Sequence, residues 1–317
     1  MFLTPILFLI GFYILIKGAG WLVDGSIALA RTLRISNLVI GLVIAGIGTS
    51  VPEFAVTFIA NLTGAGDVGI GTVIGSNTFN ILFILGVSAL FFPLTMRPHW
   101  VHRDLMWNII SVLVVAAFVV PFAGGVITRL EGVFLLLLFF GWLWWSIAKS
   151  NHYEQEEEMP TRIIAFPIAI GLIFAGFLGV LLGGKWVVDG AVLFARELGM
   201  GEALIGLTIV GIGTSLPEFA VTFTAAFKRQ PGIAVGNIIG SNIFDFLMII
   251  GAAAVVRPIV FPPYLFVDII ITALSAAVIY GFMFMGEPYV LKRWQGLLLV
   301  LFYLMYAAYL LGRGPIQ

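Results

Sequence analysis

Apolar stretches of about twenty residues follow one another along most of this chain, separated by short polar breaks. A helix that crosses a bilayer needs about 20 predominantly apolar residues. The pattern predicts ten such helices, at 3–30, 37–60, 70–93, 104–122, 127–148, 162–195, 202–227, 234–256, 264–284 and 291–311. The first and sixth are long for one bilayer, which predicts tilt. The N-terminal run lacks a basic leader and a small-residue cleavage site, so it reads as the first spanning helix. The longest polar break, near 149–162, carries an acidic cluster from Glu154 to Glu158 and reads as a solvated linker.

Charge adds orientation. The basic residues near the breaks fall into two alternating sets, Arg31, Arg34, Arg97, Arg103, Lys149, Arg162, Lys228, Arg229, Lys292 and Arg293 against Arg129, Arg196, Arg257 and Arg313. Cytoplasmic loops are enriched in Lys and Arg. The richer set of 10 against 4 is therefore expected inside, with both termini outside a plasma or inner membrane. Of 317 residues, 61% are hydrophobic and 10% charged, and 16 basic residues balance 16 acidic ones. That balance argues against a nucleic-acid partner, because proteins that bind nucleic acid are usually strongly basic. There is no cysteine, so thiolate ligands and thiol nucleophiles are excluded. Nothing calls for a cofactor or an obligate protein partner; the partner is the lipid bilayer.

Residues 46–86 and 211–251 align without a gap at an offset of 165, identical at 22 of 41 positions. Trp21, Asp24, Gly25 and Arg31 match Trp186, Asp189, Gly190 and Arg196 at the same offset. The offset spans five predicted helices, so the second copy enters the membrane from the opposite side. The expected fold is an all-α membrane protein of ten transmembrane helices in two inverted five-helix repeats. These are 1–150 and 162–317, joined by a cytoplasmic linker at 151–161. Inverted repeats characterise secondary transporters, because one site at their axis can open to either face.

Each copy interrupts its apolar helices twice. Gly48-Thr49-Ser50-Val51-Pro52-Glu53 is mirrored by Gly213-Thr214-Ser215-Leu216-Pro217-Glu218. Proline removes a backbone donor and clashes with the carbonyl four residues earlier, so each helix should break there. Freed carbonyls persist at membrane depth only beside a cavity or another partner. The second interruption places Ser76 and Asn80, and likewise Ser241 and Asp245, four residues apart on one helical face. Gly71, Gly75, Gly236 and Gly240 form small-x-x-x-small patterns suited to close helix packing. Converged, the motifs supply three carboxylates, an amide, hydroxyls and carbonyls. An all-oxygen donor set suits hard cations such as Ca²⁺. Holding three carboxylates at the bilayer centre costs roughly 8–10 kcal/mol, which argues for a binding role. For single hydroxyls the alternative is a bond back to their own helix.

Other polar residues read as structural. Asn77 and Asn242 sit one position off the site face and suit helix–helix bonding. Asp189 follows Lys185 by four residues, an intrahelical pair; Asp24 has Lys17 two turns back. His99, His102 and His152 fall in predicted loops without metal-ligand company. Trp142, Trp144 and Trp145 suit an interfacial belt.

With these paired motifs the chain resembles the cation/calcium exchanger superfamily, in its compact prokaryotic sodium/calcium exchanger branch. The resemblance covers the whole chain. It implies antiport of Ca²⁺ against Na⁺ by alternating access, with the first and sixth helices sliding as a gating pair. Glu53 and Glu218 would ligate Ca²⁺ with the Thr49 and Thr214 carbonyls, and Gly46 and Gly211 would offer carbonyls upstream. Ser50, Ser76, Ser215 and Ser241, with Asn80 and Asp245, would complete overlapping Na⁺ sites. Thr72 stands where many relatives, and Asn237 in the second copy, carry Asn. An exchanger using K⁺ or H⁺ and a passive cation channel are the competing functions. An intramembrane aspartyl protease would require a second catalytic aspartate, which Asp245 lacks.

Overall fold

The computed structural model describes residues 3–119, 125–149, 164–199 and 211–313, and the fold is built almost wholly of helices. The first half contains α1 (Leu3–Leu33), α2 (Asn37–Thr49), α3 (Val51–Thr63), α4 (Gly66–Phe91), α5 (Pro98–Val119) and α6 (Arg129–Ala148). The second contains α7 (Phe166–Glu197), a turn of helix at Gly211–Gly213, α8 (Leu216–Phe227), α9 (Pro231–Val256), α10 (Pro263–Phe282) and α11 (Arg293–Gly312). Among the described residues eight helices are long and apolar enough to cross a membrane, and α2 with α3 makes a ninth span bent by 47°. Each agrees with a predicted span to within six residues, the largest difference being the start of α5 at Pro98 against a predicted 104. The predicted helix 202–227 is described only from 211 onward, and the linker 151–161 lies outside the described residues.

The fold departs from all-α in two small ribbons. After α4, β1 (Leu94–Thr95) pairs antiparallel with β4 (Val290–Leu291); after α5, β2 (Val126–Ile127) pairs with β3 (Ile259–Val260). A shift by 165 maps β1 onto β3, so the ribbons repeat the internal symmetry. Each ties together two loops that the charge pattern assigns to the same face.

Helices α1 and α7 lie against each other backbone to backbone. A Cβ on Gly18 would stand 2.7 Å from the Val180 nitrogen, one on Gly176 2.6 Å from the Leu22 nitrogen, and one on Gly183 2.5 Å from the Leu15 nitrogen. Glycines seven residues apart keep the facing stripe free of side chains. The outer faces of both helices carry exposed Leu9, Ile16, Phe174 and Leu178. A second close approach joins α2 to α9: a Cβ on Gly236 would meet the Leu38 carbonyl at 2.6 Å and one on Gly240 the Leu42 carbonyl at 2.2 Å. Small residues permit such contact in membranes, where dispersion and hydrogen bonding replace the hydrophobic drive. In the first half Gly75 has nothing within 4 Å among the described residues.

Several local expectations are corrected. His99 and His102 lie in the first turns of α5, not in a loop; His152 lies outside the described residues. Trp142 is fully buried and packs on Phe139, and Arg103 stacks over Trp145, so only Trp144 has the exposure of an interfacial belt. Asp24 pairs not with Lys17 but with Lys228 at the end of α8, at 2.7 Å, and the Lys228 ammonium also donates to the Gly20 carbonyl at 3.0 Å. Lys185 and Asp189 do pair within α7, at 2.5 Å.

Candidate ion-binding site

The two proline motifs produce the same backbone event. At Ser50 (φ −82°, ψ 8°) and Ser215 (φ −91°, ψ 6°) the chain leaves helical geometry. Pro52 and Pro217 then sit near the start of α3 and α8, where a missing N–H costs nothing. Glu53 and Glu218 each fall in the first turn of the new helix, whose N-terminus favours an anion. The GTS glycines are covered by α7: Phe177 lies over Gly48 and Val188 over Gly213, each filling the place a Cβ would take.

The second interruption has a feature that residue types do not announce. The backbone widens to π-helical geometry at Asn80–Ile84 and at Phe244–Ile249, the segments that begin at or beside Asn80 and Asp245. Asn80 and Asp245 thus occupy equivalent places at two symmetric bulges. Such single-turn bulges recur at functional sites because they redirect side chains and loosen the backbone ladder.

The motifs converge. Thr49, Ser50, Glu53, Ser76, Asn80, Ser215, Glu218, Ser241 and Asp245 are all buried, none more than 3% exposed. Ser50 of the first half donates to Glu218 Oε1 of the second at 3.3 Å, and Ser241 donates to the same oxygen at 3.4 Å. The Ser50 and Ser241 hydroxyls also touch each other. Thr49 lies beside Glu218 and Thr214 beside Glu53, so each glutamate faces the opposite half. Glu53, Glu218 and Asp245 act on one another electrostatically, although among the described residues no three acidic or histidine side chains close on a common point. Asn77 donates to Asp245 Oδ2 at 2.9 Å, and Asn80 donates to the side-chain oxygen Oδ1 of Asn242 at 3.1 Å. The Gly46 carbonyl accepts from the Ser50 N–H and the Thr49 hydroxyl. Ser76 donates to the Val73 carbonyl of its own helix, unlike its counterpart Ser241. Of Gly211 only the backbone is described.

Donor chemistry follows from what remains unpaired. Glu53 Oε2, Glu218 Oε2, Asp245 Oδ1, Asn80 Oδ1, Asn77 Oδ1 and Ser215 Oγ are buried without a hydrogen-bond partner among the described residues. An unpaired buried polar oxygen is costly, and carboxylate oxygens most of all. Five of these six oxygens are acceptors only, so they call for cations or proton donors rather than anions.

The sodium/calcium exchanger protein family matches residues 3–148 and 168–312. The chain belongs to that family. This exchanger is 35% identical over 298 residues to an uncharacterized membrane protein of Methanocaldococcus jannaschii, covering 94% of this chain and 95% of that one. It is 27% identical over 340 residues to the sodium/calcium exchanger MaX1 of Methanosarcina acetivorans, covering 95% and 96%. Its fold is similar to that of the sodium-calcium exchanger NCX_Mj, solved after soaking without Na⁺ and Ca²⁺. The TM-score is 0.85 and the identity 30%, over 98% of this chain and 99% of that one.

Motif reading passed over one residue of the exchanger's centre. Asn237 donates to the Glu218 carbonyl at 3.2 Å and to the Thr222 hydroxyl at 2.8 Å, and accepts from the Thr49 hydroxyl at 3.3 Å. It thereby ties both proline motifs together. Its counterpart Thr72 bonds back to the Val68 carbonyl of its own helix. The mismatch at offset 165 was the signal, visible as a difference but silent about the bond.

Proposed function

We propose that the chain exchanges Ca²⁺ for Na⁺ across a membrane by alternating access at one buried centre shared by its two halves. The observation that carries this reading is the pairing of Glu53 and Glu218. Each starts a new helix at a proline break, each faces hydroxyls of the opposite half, and each keeps one carboxylate oxygen unpaired. A divalent ion between them gains the attraction of two carboxylates plus the Thr49 and Thr214 carbonyls. The Gly46 and Gly211 carbonyls would contribute from the preceding turns. Ser50, Ser76, Ser215, Ser241, Asn80 and Asp245 would serve Na⁺ at overlapping positions. Because the positions overlap, occupancy by one ion excludes the other, and this is what exchange requires.

Two inverted five-helix halves, 1–150 and 162–317, support alternating access. The ribbons β1–β4 and β2–β3 favour this arrangement, because they join loops that an inverted repeat puts on common faces. Helices α1 and α7 would move as one gating unit, their side-chain-free seam holding them together over the remaining helices. We place both termini outside a plasma or inner membrane, with the richer basic set and residues 151–161 inside. Flux of ⁴⁵Ca²⁺ into vesicles under imposed Na⁺, K⁺ or H⁺ gradients tests the function. Uptake driven by an outward Na⁺ gradient is expected; uptake that follows only K⁺ or H⁺ would replace Na⁺, and gradient-independent leak would mean a channel.

A further inference from the structure

Two clefts on opposite ends of the molecule are related by the internal repeat. One, of about 350 Å³, is lined by Asn61, Gly64, Gly66, Asp67 and Arg257. The other, of about 430 Å³, is lined by Phe91, Phe92, Leu94, Arg229, Pro231 and Arg293. Gly64 and Gly66 map onto Arg229 and Pro231 at the offset of 165. The first cleft carries one acid and one base. The second carries two guanidinium groups and no acid among its lining residues.

The two arginines are distinguished from their neighbours by being unengaged. Lys228 pairs with Asp24 and Lys292 with Glu287, at 2.7 and 3.7 Å. Neither the Arg229 nor the Arg293 side chain has a hydrogen-bond, ion-pair or ring partner among the described residues. Arg229 holds φ 56°, a left-handed turn that favours glycine, and the first half has glycine there (Gly64, φ 95°). Arg229 thus holds a conformation that costs it more than it would glycine, and with Arg293 it lines a shared cleft. The helices α9 and α11 both begin at this cleft, and helix N-termini favour anions. The floor is apolar: Phe91, 55% exposed, lines it with Phe92 and Leu94, and Phe227 packs edge-on against Phe92.

We propose that this cleft binds an anionic phospholipid, its phosphate held by Arg229 and Arg293 and its upper acyl chains lying over Phe91 and Phe92. Guanidinium pairs hold phosphate oxygens in bidentate geometry. The combination of a doubly cationic rim and an apolar floor at the end of spanning helices matches a lipid rather than a free anion. The cleft lies on the basic-rich face, so by the orientation proposed above the lipid belongs to the cytoplasmic leaflet, where anionic headgroups attract basic segments.

The test uses the full-length protein, purified in detergent and supplied with equimolar phosphatidylglycerol and phosphatidylcholine, with retained lipids counted by native mass spectrometry. Phosphatidylglycerol should be retained in preference. Arg229→Gly and Arg293→Gln should each lower that preference about fivefold, while Arg257→Gln in the opposite cleft leaves it unchanged. Arg229→Gly suits the local backbone, and its Ca²⁺ flux in pure phosphatidylcholine vesicles should equal that of the parent. Equal retention of both lipids, or unchanged preference in both arginine variants, overturns the proposal. So does inorganic phosphate that displaces the lipid at millimolar concentration, which would make this a free-anion site, and so does lost flux in Arg229→Gly. Lipid retention is measured without ions, so its failure leaves the exchange reading untouched, and failure of exchange leaves this one.

Discussion

Glu53 and Glu218 are equivalent by sequence and by backbone, yet their neighbours differ. Two serines from different halves converge on Glu218, while Glu53 faces Thr214. If the two act as facing jaws on one ion, losing either removes a strong oxygen and one negative charge. A divalent ion loses more from this than a monovalent one, because the Coulomb energy scales with its charge. Glu53→Gln and Glu218→Gln are each expected to abolish Ca²⁺ flux, and Asn80→Ala to reduce it less. About half of the parent flux in either glutamine variant, in protein shown to be inserted, would indicate two independent sites instead. Protonation acts like the same substitution, applied reversibly. A carboxylate that has taken up a proton has lost its charge and one acceptor, so protons and cations compete for the site. Ca²⁺ flux is therefore expected to fall as pH falls, and raising Ca²⁺ should partly restore it. A flux flat from neutral to mildly acidic pH would count against carboxylate ligation.

At the scale of helices, the close seams set what can be substituted. A Cβ at Gly240 would stand 2.2 Å from the Leu42 carbonyl, a backbone atom that cannot swing aside. Gly240→Ala must push α9 from α2, moving Ser241 off Glu218; loss of Ca²⁺ flux is expected with the protein still inserted. Gly141→Ala, on α6 with nothing within 4 Å among the described residues, serves as the tolerated control. Wild-type flux in Gly240→Ala would show that this seam does not position the site. Much at this scale was legible beforehand. Helix lengths follow from runs of apolar residues, and the breaks at Ser50 and Ser215 follow from proline chemistry. The π-helical turns at Asn80 and Asp245 were not legible, since an i to i+5 bond selects no residue type. The two-residue ribbons are too short to leave a period of two. The burial of Trp142 depends on which helix lies opposite, and the sequence pattern around it reads the same for either outcome. The Asp24–Lys228 pair spans 204 positions, so no local spacing could suggest it.

Over the whole molecule, the proposed inverted arrangement makes a topological prediction. Because the chain has no cysteine, Lys149→Cys introduces a single thiol at the exposed end of α6. An impermeant thiol reagent should label it in inside-out vesicles and not in intact cells; labelling from outside would invert the proposed orientation. The two halves share their motifs but are not fastened alike. Lys228 ties the end of α8 to α1 through Asp24 and the Gly20 carbonyl. At the equivalent place in the first half stands Thr63, and Asp189 pairs instead with Lys185 inside α7. A tether that, among the described residues, has no counterpart at Thr63 would make the energy wells of the cycle unequal in depth. The exchanger should then rectify: half-saturation by Ca²⁺ should differ between its two faces, and turnover should be limited by the step that parts Asp24 from Lys228. Lys228→Thr, which copies the first half, should bring the two half-saturation values together and weaken the dependence of turnover on ionic strength. Values that stay as far apart as in the parent would mean that the direction of easiest transport is set elsewhere than in this one ion pair.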